Sequence, residues 1–228
     1  MAAKPGIFTK DTFQFFRDLQ KHNHKDWMDA HRERYQAAVV RPLKKLLEEM
    51  APAVLDLDHR FETTGRRGAN LSRINRDIRF AKDKTLYKTN MYLKFPVPLG
   101  ADQESGELYA GVSANIATAG FRIYGGSKRR LSPLAIVAEP RIGKNPQWLA
   151  EQKKKLSRKY ESYWYSAVKG EWTKNAGWPT KEDWPKLRAW IVRKKLSPAT
   201  TIRPSFPSDL AKIFRDVFPI LRFVSLPD

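Results

Sequence analysis

Hydrophobic residues first recur at helical spacing in FTKDTFQFFRDLQKHN, residues 8–23, where Phe13, Phe16 and Leu19 share one side and Thr9 stands as an N-cap. Asn23 offers a second N-cap, with Asp26 three residues on near the positive helix end. Trp27, Tyr35 and Val39 then line the buried side of a following helix. Pro42 lacks a backbone donor, so a kink or restart is expected before PLKKLLEEM. Pro52 and the stretch DLDHRFETTGRRG close this helical region, which covers about residues 9–55.

The period then changes. In MYLKFPV, Met91, Leu93 and Phe95 alternate with Tyr92 and Lys94, the pattern of a strand. After the turn-rich GADQESG, the runs ELYAGVSANI and GFRIYGG predict two more strands. Ser132 caps a short helix through Ala138, and Asn145 with Pro146 at the first helical position starts a helix running roughly to Tyr163. On that helix Leu149, Leu156, Tyr160 and Tyr163 gather on one side, and Lys154, Lys155, Arg158 and Lys159 on the other. The four cations are either the solvated face of an amphipathic helix or a polyanion-binding surface. LRAWIVRKKL predicts a late strand with Ala189, Ile191 and Arg193 opposed to Trp190 and Val192. Ser208 caps a final helix whose stripe is Leu210, Ile213, Phe214 and Val217. Helices at both ends with strands between them predict an α+β fold: one domain over 1–228, with a mixed, largely antiparallel sheet packed by helices from both termini.

Composition narrows the class. Twelve Phe, eight Tyr and seven Trp in 228 residues supply too much apolar surface for a disordered chain. The absence of cysteine excludes disulfides, thiolate metal sites and a cysteine nucleophile. The opening MAAKPGIFTKDTF lacks the apolar stretch of a signal peptide, and no run approaches a membrane span, so the expectation is a cytoplasmic protein. The net charge of +19 points to anionic partners. It is unevenly placed: residues 61–90 carry +5 and residues 128–200 carry +12, while 91–127 carry −1.

RINRDIRFAKDKTLYKTN, residues 73–90, is the densest chemistry in the chain. If 73–79 is helical, the favoured reading, Arg73, Arg76, Asp77 and Arg79 share a broad face opposite Ile74 and Ile78, with Asp77 placed to brace Arg73. If it is extended, Ile74, Ile78 and Phe80 lie on one side with Arg76 among them, a costly place for a charge. Arginine's planar fork suits two parallel hydrogen bonds to phosphate or carboxylate. The candidate anion-binding set is therefore Arg73, Arg76, Arg79, Lys82, Lys84, Tyr87 and Lys88, oriented by Asp77 and Asp83. Those two aspartates are either general acid–base groups or, the more economical reading, struts that hold the arginines in place.

The run R-x-x-R-D-x-R-F-x-K-D-K-x-x-Y-K-T, from Arg73 through Thr89, resembles the signature of a bacterial and fungal family, domain of unknown function 2461. Leu19, Asn23, Trp27, Tyr35 and Pro42 stand in the same order as in that family. GFRIYGGSKRRLSP is similar to its glycine-rich stretch, with a serine after Gly125 and Gly126 where a longer glycine run is usual. LRAWIVRKKL is similar to a late strand-like element there, while the lysine- and tryptophan-rich segment between them departs from the family. The resemblance implies a shared fold and a shared cationic motif; it brings no established reaction, substrate or cofactor.

Other signals are weaker. His22, His24 and His31 occur without any H-E-x-x-H pattern, so no metal or other cofactor is predicted. No P-loop or G-x-S-x-G elbow is present. Gly125 and Gly126 either let backbone N–H groups approach an anion or simply end a strand. Tyr160, Tyr163, Trp164, Tyr165, Trp172 and Trp178 are interleaved with cations, which suits either base stacking or core packing, since alternate rings of SYWYSAV would point inward on a strand. Three functions therefore compete. The chain binds a phosphate-bearing small molecule or nucleic acid, or it is an enzyme acting on a small anionic substrate, or residues 73–90 form a structural ion-pair network.

Overall fold

The computed structural model describes residues 5–66, 68–79, 82–98, 106–124, 133–145, 147–168 and 171–226, without the side chains of 133–137 and 139. Phe80, Gly125, Gly126, Ser132 and Pro146 lie outside this set.

Helix α1 (Lys10–Lys21) begins where the pattern placed it, after an extended Thr9. Thr9 donates its backbone N–H to Thr12 Oγ1 at 3.2 Å. The Thr12 hydroxyl in turn donates to the carbonyl of Ala38 at 2.7 Å, in a fully buried contact. The reason lies in Pro42. Helix α3 (Arg32–Tyr35) passes into a π-helical turn, Gln36–Val40, and then into α4 (Arg41–Leu55). In an α-helix residue 42 would donate to the carbonyl of residue 38, but proline has no N–H. Thr12 supplies the missing donor from α1, and Arg41 N–H reaches five residues back to Gln36 O. The restart expected at Pro42 is thus a change of helical register without a break. Thr12→Val keeps the shape and strands a buried acceptor; unfolding free energy should fall by about 2 kcal/mol and Tm by roughly 4–8 °C, measured by thermal denaturation.

Helix α2 (Lys25–Ala30) is capped by His24, whose Nδ1 accepts from Trp27 N–H, and not by Asn23, which is used elsewhere. Phe15 packs against Phe16, Trp27 and Tyr35 at 5.6–5.7 Å between ring centroids. Arg34 ties α3 to α1 through Asp11 at 2.6 Å and Asp18 at 2.8 Å.

Six strands follow: β1 (Asn90–Pro96), β2 (Glu107–Ser113), β3 (Ala117–Tyr124), β4 (Glu161–Val168), β5 (Glu171–Ala176) and β6 (Leu187–Leu196). They form an antiparallel sheet in the order β1-β2-β3-β6-β4-β5. With helices from both ends of the chain packed on it, the fold is α+β. The β1 alternation holds, with Met91, Leu93 and Phe95 buried between half-buried neighbours. In β6, Ala189 through Val192 are all buried, so both faces are covered there.

Two helices differ from the sequence reading. Helix α6 is Trp148–Leu156 and does not reach Tyr163, because residues 161–168 pair with β5 and β6 as a strand. Helix α8 (Phe206–Ser225) starts before Ser208, although Leu210, Ile213, Phe214 and Val217 are buried as expected. The remaining helices are α5 (Pro133–Lys144) and α7 (Pro198–Thr201).

The backbone packs as two compact units, one from residues 1–95, 110–118 and 196–211, the other from 96–109, 119–195 and 212–228. The first is centred on the phenylalanine cluster of α1, extended by Phe8 against Phe206 at 5.8 Å. The second is centred on Trp190, which meets Phe121, Trp178 and Trp184 edge-on at 5.3–5.7 Å and donates Nε1–H to Ser162 Oγ. Gly120 belongs to this centre: a Cβ there would lie 2.0 Å from Val192 O, so only glycine lets β3 approach β6. Arg141 closes the end of α8 by donating to the carbonyls of Arg222, Phe223 and Leu226. Among the described residues no helix is long and apolar enough to cross a membrane.

Candidate anion-binding cleft

The segment 70–94 folds back on itself. Lys94 N–H donates to Asn70 O and Ser72 N–H to Tyr92 O; further out, Lys88 N–H donates to Ile74 O and Arg76 N–H to Leu86 O. Antiparallel bridges join Leu71 to Leu93 and Asn75 to Tyr87. The bridge positions are four residues apart on one arm and six on the other, so the second arm carries two extra residues between them. Residues 73–79 are accordingly not helical: residues 74–76 pair across to 86–88, and Arg79 N–H turns back onto the Asp77 carboxylate. Ile74 is buried, as the extended alternative requires, and Arg76 is half-buried.

Asn23 anchors the outer part of this hairpin. Its side chain accepts from Tyr87 N–H and donates to Tyr87 O, both at 2.9 Å, mimicking a strand partner. Tyr87 is buried, so its ring packs internally and does not offer a stacking face.

The seven proposed anion ligands do not converge. Arg76 pairs with Asp83 at 2.7 Å and Arg79 with Asp77 at 2.7 Å. Asp77 therefore braces Arg79 and not Arg73. Lys84 donates to Ile78 O, while Lys82 stands exposed on the tip. The Arg79 guanidinium holds the Asp77 carboxyl below its ordinary range, and the Thr85 backbone amide does the same for Asp83. Carboxylates held low are ionised at neutral pH and are weak proton acceptors. Lys154 and Lys155 fall in the last turn of α6, and Arg158 and Lys159 in the turn beyond it, all exposed. Cations there complement the negative end of the helix.

Arg73 stands apart from the others. It faces a cleft of about 680 Å³ whose helical wall is Tyr35, Gln36, Val40 and Lys44, along the π turn and the start of α4. The opposite wall is Leu71 through Asn75 of the hairpin, and Gly65, Arg66 and Gly68 complete it. Lys44, Arg66 and Arg73 bring three cations to this cleft, and no carboxylate is among its lining residues. Neither Lys44 nor Arg73 has an ion-pair partner among the described residues, whereas Arg66 is tied to Glu62 at 2.6 Å. Burial pushes the Tyr35 phenol up to about 12, so it remains a neutral donor, directed at Met91 Sδ.

The 62–70 loop is built from within. Glu62, with a side chain only 8% exposed, accepts from the amide and hydroxyl of Thr64 and from the Arg66 guanidinium. Fully buried Asn70 accepts from Gly65 N–H and donates to the carbonyls of Glu62 and Lys94. Gly65 and Gly68 sit at φ of 75° and 83°, the left-handed region that side chains disfavour. The sequence 61–94 matches no common anion-binding motif, but its folded loop sets Arg66 beside Arg73.

The stretch from residue 11 to residue 223 matches the family described as conserved hypothetical protein, DUF2461. The chain belongs to this family. Its span includes nearly all of α1, the π turn, the loop and the hairpin, so the cleft lies wholly inside the family's domain. No curated protein matches the sequence.

Sequence reasoning found Arg73 and missed Lys44, Arg66, Ser72 and Asn75 as cleft residues. A signal was available for Arg66: two arginines bounded by glycines in GRRG, with Glu62 four residues before the first. Nothing local marked Lys44, one of many helix-surface lysines. His31 stacks on Trp27 at 4.2 Å and His24 caps α2, and among the described residues no three His, Asp or Glu side chains are grouped to hold a metal.

Proposed function

We propose that this family member binds phosphate or a small phosphate-bearing molecule in the cleft between the π turn and the hairpin. The observation that carries the reading is the concentration of Lys44, Arg66 and Arg73 in a lining free of carboxylates. Arg66 is already paired with Glu62, but Lys44 and Arg73 have no carboxylate partner among the described residues, and an anion would relieve the repulsion between like charges brought to one cleft. The Ser72 hydroxyl and the Gln36 and Asn75 amides add neutral hydrogen-bonding groups, and the π turn is a local departure of the kind often found at functional sites. This inventory is one of binding groups.

For the hairpin tip the structural alternative is the better reading, on a specific observation: Arg76 and Arg79 are each occupied by a carboxylate of the same tip. The Arg79–Asp77 pair is exposed and the Arg76–Asp83 pair partly so, so water screens both, and their contribution is to shape the tip more than to stabilise the fold.

Titration calorimetry with inorganic phosphate and pyrophosphate tests the cleft. A saturable heat is expected, with affinity lowered at least about tenfold by Arg73→Gln at unchanged Tm. Arg79→Gln should leave it within about twofold, because Arg79 does not line the cleft. No saturable binding, or equal losses for the two variants, would refute the assignment.

A further inference from the structure

The large positive excess in residues 128–200 is not used by the cleft. Part of it meets aromatic rings on one face of the sheet. In β4, Glu161, Tyr163 and Tyr165 point to the same side, since alternate strand residues share a face. Cross-strand pairing places Lys174 opposite Tyr165, Trp172 opposite Ala167 and Arg193 opposite Glu161. Tyr163, Tyr165 and Trp172 thus form a row with ring centroids 5.9 and 6.0 Å apart. Lys174 Nζ stands 4.2 Å and the Arg193 guanidinium 4.9 Å from the centre of the Tyr163 ring.

The row ends in the open. β5 is the edge strand, its residues are exposed apart from a half-buried Asn175, and Trp172 keeps 50% of its surface accessible. An indole left half in water on an edge strand contributes little to a core. Of the six interleaved rings, Tyr160 and Trp164 are buried and take the core role, whereas Tyr163, Tyr165 and Trp178 are half-buried and Trp172 is exposed. Among the described residues of β4, β5 and β6, Lys174, Arg193 and Lys195 share the face with one carboxylate, Glu161, which pairs with both Arg193 and Lys195. The face therefore keeps a net positive charge beside stacking rings.

We propose that this face, centred on Trp172, Tyr165 and Lys174, binds single-stranded nucleic acid. Unpaired bases stack on the rings while the cations neutralise adjacent phosphates, a combination that tolerates any base sequence. A duplex hides its base faces and can use only the cations. The site is distinct from the cleft, and its residues are far in sequence from those that line it.

The test is fluorescence anisotropy of labelled oligo-dT, oligo-U and a duplex of equal length, added to the full chain. The single strands should bind more tightly than the duplex, with affinity falling in salt at a log–log slope of about −1 to −2. Trp172→Ala should weaken single-strand binding about tenfold and Lys174→Gln about threefold, with little change for the duplex. Preference between oligo-dT and oligo-U assigns DNA or RNA. Arg73→Gln should leave these affinities unchanged, which separates this site from the phosphate cleft. Failure to bind single strands at low salt would overturn the proposal. So would Trp172→Ala binding as the parent does, with circular dichroism showing both variants folded.

Discussion

Replacing Asn70 with alanine is expected to lower the unfolding free energy by about 3–5 kcal/mol, the largest effect of any single polar substitution in the first unit. Asn70 is fully buried and its amide makes three bonds, to Gly65 N–H, Glu62 O and Lys94 O. Alanine removes all three partners; the bond to Glu62 O is buried and those to Gly65 N–H and Lys94 O are partly buried, so the backbone groups left without a partner cost up to about 1–3 kcal/mol each, with incomplete additivity. The same change releases the loop that carries Arg66. Denaturant unfolding should register the loss of stability. Phosphate titration of the folded fraction should show weaker binding, although Asn70 does not line the cleft.

Glu62→Gln is the second large expectation, at about 2–3 kcal/mol near neutral pH, and it has a pH signature. The Thr64 hydroxyl and amide, with Arg66 behind them, hold the Glu62 carboxyl below the ordinary value of 4.5. A native pKa lower than the unfolded one stabilises the fold fully above the unfolded value. That increment is lost as pH falls through the depressed native value. The parent should therefore lose this increment on acidification below about pH 4.5, and the variant, which never had it, should not. The stability gap between the two should be wider at pH 7 than at pH 3, measured by thermal melts at both. A gap of constant width would mean that the carboxylate charge is not what Thr64 and Arg66 stabilise. Because Glu62 and Asn70 organise one loop, the double variant should cost less than the two single losses together.

The same loop supplies Arg66 to the proposed site. Two glycines at positive φ, a nearly buried carboxylate and a buried amide are a costly way to connect a helix to a strand. Together they fix the backbone around Arg66, which Glu62 holds, while Arg73 of the same cleft has no ion-pair partner among the described residues. At the hairpin tip Arg76 and Arg79 are each paired with a carboxylate. In the proposed site, Arg73 and Lys44 are therefore the cations left to meet an anion.

The sequence by itself determined the elements whose evidence is local. Thr9 and the Phe13–Phe16–Leu19 spacing specify α1, the Met91–Leu93–Phe95 alternation specifies β1, and LRAWIVRKKL coincides with β6. The order of helices and strands was enough for the α+β class, and the long cationic signature was enough for the family. Tertiary structure decided the rest, where a distant partner outbid local preference. Residues 73–79 satisfy a helical spacing, but residues 74–76 pair with 86–88, and Asn23 clamps Tyr87 from 64 residues away. The amphipathic run after residue 148 could continue as a helix past Leu156. It stops because Tyr160 bonds Asp216, 56 residues on, and residues 161–168 gain strand partners on both sides. The same rule governs the site. A sequence shows how many arginines are clustered, but which of them lacks a carboxylate depends on contacts that exist only after the chain has folded.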